Sequence, residues 1–225
     1  KHMFQVMRLK EDDEVTLVFD DGIKRLARVL DVEKRQFELV QELADNVELP
    51  VQVTIASGFP KGDKLEFITQ KVTELGASQI WAFPADWSVA KWDGKKLGKK
   101  VEKLEKIALG AAEQSKRNLV PSIQLFEKKA DFLAQLAQFD SIVVAYEELA
   151  KEGETAALLQ AVTGLEKGAK LLFIFGPEGG LSPAEIESFE AKGAVLAGLG
   201  PRILRAETAP LYALSALSVL VELEK

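Results

Sequence analysis

Two loops near the end of the sequence carry the residue types that could bind a ligand or act on one. Residues 176–181 read GPEGGL and contain Glu178, while residues 199–209 read LGPRILRAETA and contain Arg205 and Glu207. Each loop follows an apolar run with the length of a buried strand and leads into the start of a helix. Ligands of open α/β sheets bind beyond the carboxyl ends of the strands. We therefore predict that both loops border one pocket.

The first loop has a well-specified exit into a helix. Ser182, Pro183 and Glu185 form the pattern of a capping box with proline at the first helical position. The glycines before it, Gly176, Gly179 and Gly180, allow the backbone to approach a ligand closely. A Walker A loop and a dinucleotide fingerprint are both excluded, because neither pattern occurs here. A tight strand-to-helix turn without a ligand is the alternative.

The second loop is unusually apolar for a connector. Ile203 and Leu204 lie between Arg202 and Arg205. Such a segment can wrap a partly apolar ligand while an arginine addresses a negative or polar group. Thr208 is the predicted N-cap of the helix that follows, with Pro210 in its first turn. The alternative is a buried loop whose arginines pair with acids such as Glu178 and Glu207.

The amino-acid composition excludes several kinds of catalytic and metal-binding site. The 225 residues include no cysteine and one histidine, His2. Thiolate nucleophiles, disulfides, histidine triads and multi-histidine metal sites are therefore excluded, and we expect no metal. Catalysis must use carboxylates, Lys, Arg, hydroxyl or backbone groups, or a reactive cofactor. No apolar stretch has the roughly 18 residues of a membrane span and no signal peptide is evident, so we expect no membrane contact and a cytoplasmic location.

Charge is unevenly distributed along the chain. The formal net charge is −6, yet residues 91–117 hold nine Lys or Arg residues against four acidic residues, a local balance of +5. A basic stripe of this kind suits phosphate binding. A solvated helix face is the alternative interpretation.

The rhythm of the sequence changes near residue 50. Before it, short alternating runs flank an Asp-Gly pair that is typical of a hairpin, which predicts a small antiparallel barrel or sandwich. After it, strands alternate with helices, which predicts a mainly parallel sheet covered on both faces. The predicted strands are residues 15–19, 23–30, 36–40, 51–57, 78–83, 122–126, 141–146 and the two runs before the loops. The predicted helices are residues 63–75, 97–114, 131–138, 155–162, one beginning at Pro183 and one from Pro210 to about residue 223.

The two loops, in this order and at this end of the chain, resemble the signature of the knotted methyltransferases of the SPOUT class. More narrowly, they are similar to the bacterial 16S ribosomal RNA uridine-N3 methyltransferases. Three other stretches resemble the same family: KGDKLEFITQKVTELG (residues 61–76), EQSKRNLVPSI (residues 113–123) and HMFQVMRLKEDDEVTLVFDDG (residues 2–22). Lys116 departs from the small residue expected at its position. The resemblance covers nearly the whole chain.

The resemblance implies a PUA-like RNA-binding β-barrel in residues 1–50 and a SPOUT α/β domain with a C-terminal trefoil knot in residues 51–225. We expect the barrel to be incomplete at its N-terminus, because the sequence opens on a lysine rather than a methionine. The implied activity is transfer of a methyl group from S-adenosylmethionine to N3 of a specific uridine of 16S ribosomal RNA in the small ribosomal subunit, by a homodimer. The apolar last helix, with Leu214, Leu217 and Leu220, fits either burial within the monomer or packing across a dimer.

The resemblance also assigns roles to residues. The cofactor would be bound by the segment Tyr146-Glu147 and by the two loops, namely Phe175, Gly176, Pro177, Glu178, Gly179, Gly180, Leu199, Gly200, Ile203, Leu204, Arg205, Ala206, Thr208 and Ala209. We expect Arg205 to stabilise negative charge on the uracil ring, with Glu207 or Glu178 accepting the proton or orienting the arginine. RNA contacts are assigned to Arg8, Lys71, Lys116 and Arg117. Two alternatives remain: a SPOUT ribose 2′-O-methyltransferase acting on transfer or ribosomal RNA, and a noncatalytic ribosome-assembly factor.

Overall fold

A computed structural model describes residues 8–146 and 157–223 of the chain. The chain divides into two compact units. The first comprises Lys1–Glu48 together with the short segment Lys116–Leu119, and the second comprises Leu49–Ser115 and Val120–Lys225. The first unit therefore includes four residues taken from the middle of the sequence of the second.

The first unit contains a three-stranded antiparallel sheet in the order β1-β2-β3. Its strands are β1 (Glu14–Val18), β2 (Lys24–Asp31) and β3 (Gln36–Leu43). The predicted hairpin is confirmed: Gly22 has a φ of 71°, and the Asp21 carboxylate accepts a hydrogen bond from the Ile23 N–H at 2.9 Å. Left-handed backbone of this kind favours glycine. The closed barrel remains a prediction.

Residues 116–119 are joined to the first unit by polar contacts. The Arg117 guanidinium forms an ion pair with Glu48, and its side chain is only 2% exposed. The Asn118 amide donates to the carbonyls of Gly22 (2.9 Å) and Asp45 (3.2 Å), and its oxygen accepts from the Val47 N–H at 3.1 Å. Buried polar groups are costly unless they are paired, so these contacts specify where the segment lies within the unit.

The second unit is built on a six-stranded sheet in the order β6-β5-β4-β8-β7-β9. All five pairs of neighbouring strands run parallel, which confirms the prediction from the alternation of strands and helices. The strands are β4 (Gln52–Gly58), β5 (Gln79–Phe83), β6 (Ser122–Leu125), β7 (Ser141–Ala145), β8 (Lys170–Phe175) and β9 (Val195–Ala197).

Six α-helices lie within the described part of the second unit: α1 (Lys64–Glu74), α2 (Gly94–Gln114), α3 (Lys129–Ala134), α4 (Ala157–Val162), α5 (Pro183–Glu190) and α6 (Ala209–Ser218). A 3₁₀ turn, Leu136–Gln138, follows α3, and a π-helical turn, Val219–Leu223, follows α6. Helix α2 begins three residues before the predicted start, because the Asp93 carboxylate accepts from the Lys96 N–H and caps it. The helix predicted over residues 131–138 is instead the short α3 and the 3₁₀ turn.

The sheet of the second unit is buried on both faces. Along β8, Leu171, Phe173 and Phe175 belong to one apolar cluster, whereas Leu172 and Ile174 belong to another. Successive side chains of a strand point to opposite faces, so these two clusters lie on the two sides of the sheet. This burial fixes the carboxyl end of β8, where the first glycine loop begins. No helix in residues 8–146 or 157–223 combines the length and apolar character needed to cross a bilayer.

Candidate active site

The two loops identified in the sequence line one cavity of about 580 Å³. The cavity lies at the carboxyl ends of the strands, where β7, β8 and β9 give way to loops. Its walls are formed by Lys64, Trp87, Ala145, Tyr146, Phe175, Gly176, Pro177, Glu178, Gly179, Gly180, Leu181, Pro183, Leu199, Gly200, Arg202, Ile203, Leu204, Arg205, Ala206 and Ala209. The prediction that both loops border one pocket is confirmed.

The loop after β8 folds back tightly on itself. A Cβ atom on Gly176 would lie 2.7 Å from the carbonyl carbon of Gly180, closer than side-chain carbons pack. The Gly180 N–H donates to the Pro177 carbonyl at 2.9 Å, and Gly180 has a φ of 80°. The loop also lies against a neighbouring strand, because a Cβ on Gly58 would lie 2.5 Å from Cδ of Pro177. Glycine is therefore needed at Gly176 and Gly58 for steric reasons.

A buried carboxylate anchors the exit of this loop. The predicted capping box is confirmed: Ser182 Oγ accepts from the Glu185 N–H at 3.2 Å, and Glu185 Oε2 accepts from the Ser182 N–H at 2.9 Å. Glu185 Oε1 accepts from the Asp86 N–H at 2.9 Å and lies 2.8 Å from Lys129 Nζ. Hydrogen bonds from Lys129 and then Ser182 hold the pKa of Asp86 below its ordinary value. The start of α5 is thus joined to the loop after β5.

The loop after β9 is closed by its own backbone. The Arg205 carbonyl accepts hydrogen bonds from the N–H groups of Thr208 (2.8 Å) and Ala209 (3.0 Å). Thr208 occupies the N-cap position of α6, as predicted, but its side chain makes no capping hydrogen bond. The reason is that Thr208 already has helical φ and ψ angles. Ile203 is 70% exposed, which leaves an apolar side chain beside the cavity.

Lys64 joins the two loops. Its ammonium group lies 3.0 Å from Glu178 Oε1 in the first loop and 3.0 Å from Glu207 Oε2 in the second. Glu178 Oε1 also accepts from the Lys61 N–H at 3.1 Å. The alternative interpretation of the second loop, in which its arginines pair with Glu178 and Glu207, is wrong. In the described residues both carboxylates form their ion pairs with Lys64.

The charges of this cluster reinforce one another. Burial raises the pKa of Glu178, but its own backbone N–H and the Lys64 ammonium outweigh that effect and leave the pKa below its ordinary value. Burial also raises the pKa of Glu207, but its own backbone N–H, the Lys64 ammonium and the charge of Arg205 outweigh that effect and leave the pKa lowered. In return Glu178 and Glu207 raise the pKa of Lys64. Both carboxylates are therefore ionised and the lysine protonated at neutral pH.

Almost all of the residues assigned to cofactor binding lie around this cavity. The exception among the described residues is Thr208, which does not line it, and Glu147 lies outside the described residues. Of the residues assigned to catalysis, Arg205 and Glu178 line the cavity. Glu207 does not line it but forms an ion pair with Lys64, which does.

The residues assigned to RNA contacts have different surroundings. Arg8 and Lys116 are exposed and have positive φ angles of 54° and 55°. Lys71 pairs with Glu74 on its own helix at 2.8 Å. Arg117 is buried against Glu48, so the structure gives it a structural role in holding residues 116–119, and we do not retain it as a phosphate ligand.

Several cavity residues were not singled out from the sequence, above all Lys64 and Trp87. Lys64 lies at the start of α1, shortly after β4, and Trp87 lies shortly after β5. A Cβ on Gly179 would lie 3.0 Å from Cβ of Trp87, and the Trp87 side chain remains 49% exposed. Their positions in the sequence could have indicated a role in the site, since both residues follow the carboxyl ends of predicted strands. Within the described residues no group of three His, Asp or Glu side chains could hold a metal ion.

The fold and the site define a class of protein. Residues 47–218 match the RNA methyltransferase domain family, and residues 1–42 match the RNA methyltransferase PUA domain. The chain belongs to this RNA methyltransferase family.

Individual relatives are more specific. The chain is 48% identical over 224 residues to "Ribosomal RNA small subunit methyltransferase E" of Bacillus subtilis, covering 99% of this chain and 88% of that protein. A solved structure titled as that of a hypothetical protein is 46% identical, with a TM-score of 0.90 and coverage of 100% and 89%. The ribosomal RNA small subunit methyltransferase E of Neisseria gonorrhoeae, solved with bound S-adenosyl methionine, is 27% identical, with a TM-score of 0.81 and coverage of 97% and 88%.

Proposed function

We propose that this protein transfers a methyl group from S-adenosylmethionine to N3 of a specific uridine of 16S ribosomal RNA in the small ribosomal subunit. The observation that carries the proposal is the convergence of the two loops on one cavity in a member of the RNA methyltransferase family. The full-length similarity to proteins named ribosomal RNA small subunit methyltransferase E supports the choice of substrate. The choice of N3 rests on the resemblance of the arginine-containing loop to that of the uridine-N3 enzymes.

The cavity suits S-adenosylmethionine in size and chemistry. Its volume, about 580 Å³, is typical of sites for ligands of this size. Tyr146, Leu199 and Leu204 offer apolar surface, while Gly176, Gly179 and Gly180 bring backbone to the cavity wall without side chains of their own. These residues would hold the cofactor. When bound, the cofactor supplies a methyl group already activated on a sulfonium.

Arg205 is proposed to act on the base. The N3–H proton of uridine must leave for N3 to act as a nucleophile, which places negative charge on N3 and on the carbonyl oxygens O2 and O4 until the N3–methyl bond forms. N3 lies on the base-pairing edge, so the uridine must enter the cavity unpaired. Arg205 lines the cavity and makes no ion pair with a described residue, so its guanidinium is available to stabilise that charge.

Glu178 and Glu207 are proposed to orient rather than to accept the proton. A general base works best when its pKa lies near the working pH. Lys64 instead helps to hold the pKa of both carboxylates below the ordinary value. Their role is to fix the two loops around Lys64 and, through the charge of Glu207, to favour the position of Arg205. The N3 proton would then pass to solvent.

Four features of the family complete the proposal. We propose that residues 1–50 form a PUA-like RNA-binding barrel and that residues 51–225 form a SPOUT domain with a C-terminal trefoil knot. Arg8, Lys71 and Lys116 are the proposed phosphate contacts. The enzyme would be a cytoplasmic homodimer. Half-exposed apolar side chains at the end of the chain, Tyr212 and Val219 among them, support a dimer that covers this helix.

The test is methyl transfer from labelled S-adenosylmethionine to small ribosomal subunits that lack native modification, followed by nucleoside analysis. The expected product is 3-methyluridine. A 2′-O-methylated nucleoside would replace the proposal with the ribose reaction. Absence of cofactor binding would instead favour an assembly factor.

A further inference from the structure

The outer face of α2 carries five exposed lysines: Lys95, Lys96, Lys99, Lys103 and Lys106. An α-helix turns ~100° per residue, so these side chains fall within ~100° of its circumference. Leu97, Leu104 and Ala108, on the opposite side, are buried. We call the five residues the α2 lysine face.

Three of the five lysines make no ion pair with a described residue. Lys103 pairs with Glu66 at 2.6 Å, and Lys96 lies 3.8 Å from Asp93. Within residues 8–146 and 157–223, Lys95, Lys99 and Lys106 form neither an ion pair nor a side-chain hydrogen bond. The chain as a whole has a net charge of −6, whereas the unpaired ammonium groups make this face locally positive.

The α2 lysine face begins close to the cavity along the chain. The loop from β5 to α2 contains Trp87, which lines the cavity, and Lys95 follows eight residues later, at most about 29 Å away. Trp92 in the same loop packs against Phe59, with 4.3 Å between the two ring centres. The Lys100 ammonium lies over the Trp92 ring, 4.4 Å from its centre. The first turn of α2 is therefore held beside the sheet rather than free to move.

We propose that the α2 lysine face binds the phosphate backbone of the ribosomal RNA strand that flanks the target base. The inference rests on the proposed function. From Lys95 to Lys106 the face is about 16 Å long, enough for several consecutive phosphates. Lysine ammonium groups neutralise phosphates without reading sequence, so the face holds the strand while the cavity selects the base.

The test compares two triple variants of the full-length protein. Lys95→Gln/Lys99→Gln/Lys106→Gln removes the three unpaired charges of the α2 lysine face. Lys167→Gln/Lys170→Gln/Lys192→Gln removes three charges from exposed positions elsewhere in the second unit. Binding to unmodified small subunits is measured at several salt concentrations, together with affinity for S-adenosylmethionine and the melting temperature.

The α2 variant is expected to bind subunits roughly 10- to 100-fold more weakly near physiological salt, with the slope of log affinity against log salt reduced by about 2. Its cofactor affinity and melting temperature should match the wild type, and the control variant should keep the wild-type slope. Equal slopes for both variants would overturn the inference, even if the wild type produces 3-methyluridine. If the wild type neither binds nor methylates subunits, the proposed function fails as well.

Discussion

Lys64 Nζ lies 3.0 Å from Glu207 Oε2 and joins the first helix of the second unit to the last loop of the cavity. The same ammonium group contacts Glu178 in the other loop. Among the described residues no other cation forms an ion pair with either carboxylate. The ion pairs therefore hold the loops together as well as supplying charge.

Replacement of Lys64 by Met should weaken cofactor binding. Loss of a partly buried cation shared by two carboxylates leaves these to repel each other, and we expect about a tenfold weaker Kd. Titration calorimetry with S-adenosylmethionine measures the change. Lys61→Met is the matched control, because only the backbone N–H of Lys61 contacts Glu178. Wild-type affinity in Lys64→Met would contradict the joining role.

The same cluster predicts how stability depends on pH. The pKa values of Glu178 and Glu207 are lowered from 4.5, so their contribution is complete above that pH and is lost as the pH falls through the lowered values. The pKa of Lys64 is raised from 10.5, so its contribution is lost only as the pH rises beyond that value. Melting temperatures of the wild type and Lys64→Met should therefore differ by a constant amount from about pH 6 to 9 and converge below pH 4.5. A difference that changes near pH 7 would point to another group.

A methyl group on Gly176 should disrupt the first loop. Its Cβ would lie 2.7 Å and 2.9 Å from backbone carbon atoms of Gly180, and backbone cannot move aside as a flexible side chain can. We expect Gly176→Ala to cost about 1–3 kcal/mol of stability and to weaken cofactor binding more than tenfold. Gly110→Ala is the control, since its Cβ would have no described neighbour within 4 Å beyond the backbone of its own helix. Undiminished cofactor affinity in Gly176→Ala would show that the loop can relax.

Arg205→Ala should lower turnover while leaving the cofactor bound. Removal of one donor to developing negative charge typically reduces kcat by about 10²–10³-fold. Single-turnover methylation of small subunits at saturating cofactor measures the effect, and Arg202→Ala, which alters another cavity arginine, serves for comparison. A wild-type rate for Arg205→Ala would remove it from the mechanism.

Glu185→Gln tests the anchor of α5. Glutamine retains one acceptor oxygen but replaces the other with an NH₂ group. That group would face the Ser182 N–H, or the Asp86 N–H and the Lys129 ammonium, all of which are donors. We expect a loss of about 2–3 kcal/mol, or roughly 5–10 °C in melting temperature. Glu187→Gln, an exposed position on the same helix, should change little. Equal melting temperatures for the two variants would mean that the buried carboxylate is not needed.

Local features of the fold were predictable from the sequence. The Ser182–Glu185 capping box depends on residues three apart, and the Asp21-Gly22 hairpin on two adjacent ones, so their chemistry is legible in the sequence itself. The alternation of strands and helices similarly predicts the parallel sheet. Thr208 lies at the predicted N-cap of α6, but its hydroxyl makes no capping bond because its backbone angles are already helical, and the sequence does not reveal those angles.

Contacts between distant segments were not predictable. Lys64 meets Glu178 and Glu207 because the sheet order places β4 beside β8, and strand order does not follow from the order of strands along the chain. The same is true of Trp87, which approaches Gly179 from the end of β5. Arg117 lies in a basic stretch that favours a surface role, and only its buried pairing with Glu48 identifies it as structural.

The inclusion of residues 116–119 in the first unit has a consequence for synthesis. A nascent chain emerges from its amino end, so Gly22, Asp45 and Glu48 leave the ribosome long before Asn118 and Arg117, which pair with them. The first unit therefore cannot reach its final set of hydrogen bonds until about two fifths of the second has been translated. A fragment cut at residue 50 would lack these partners altogether.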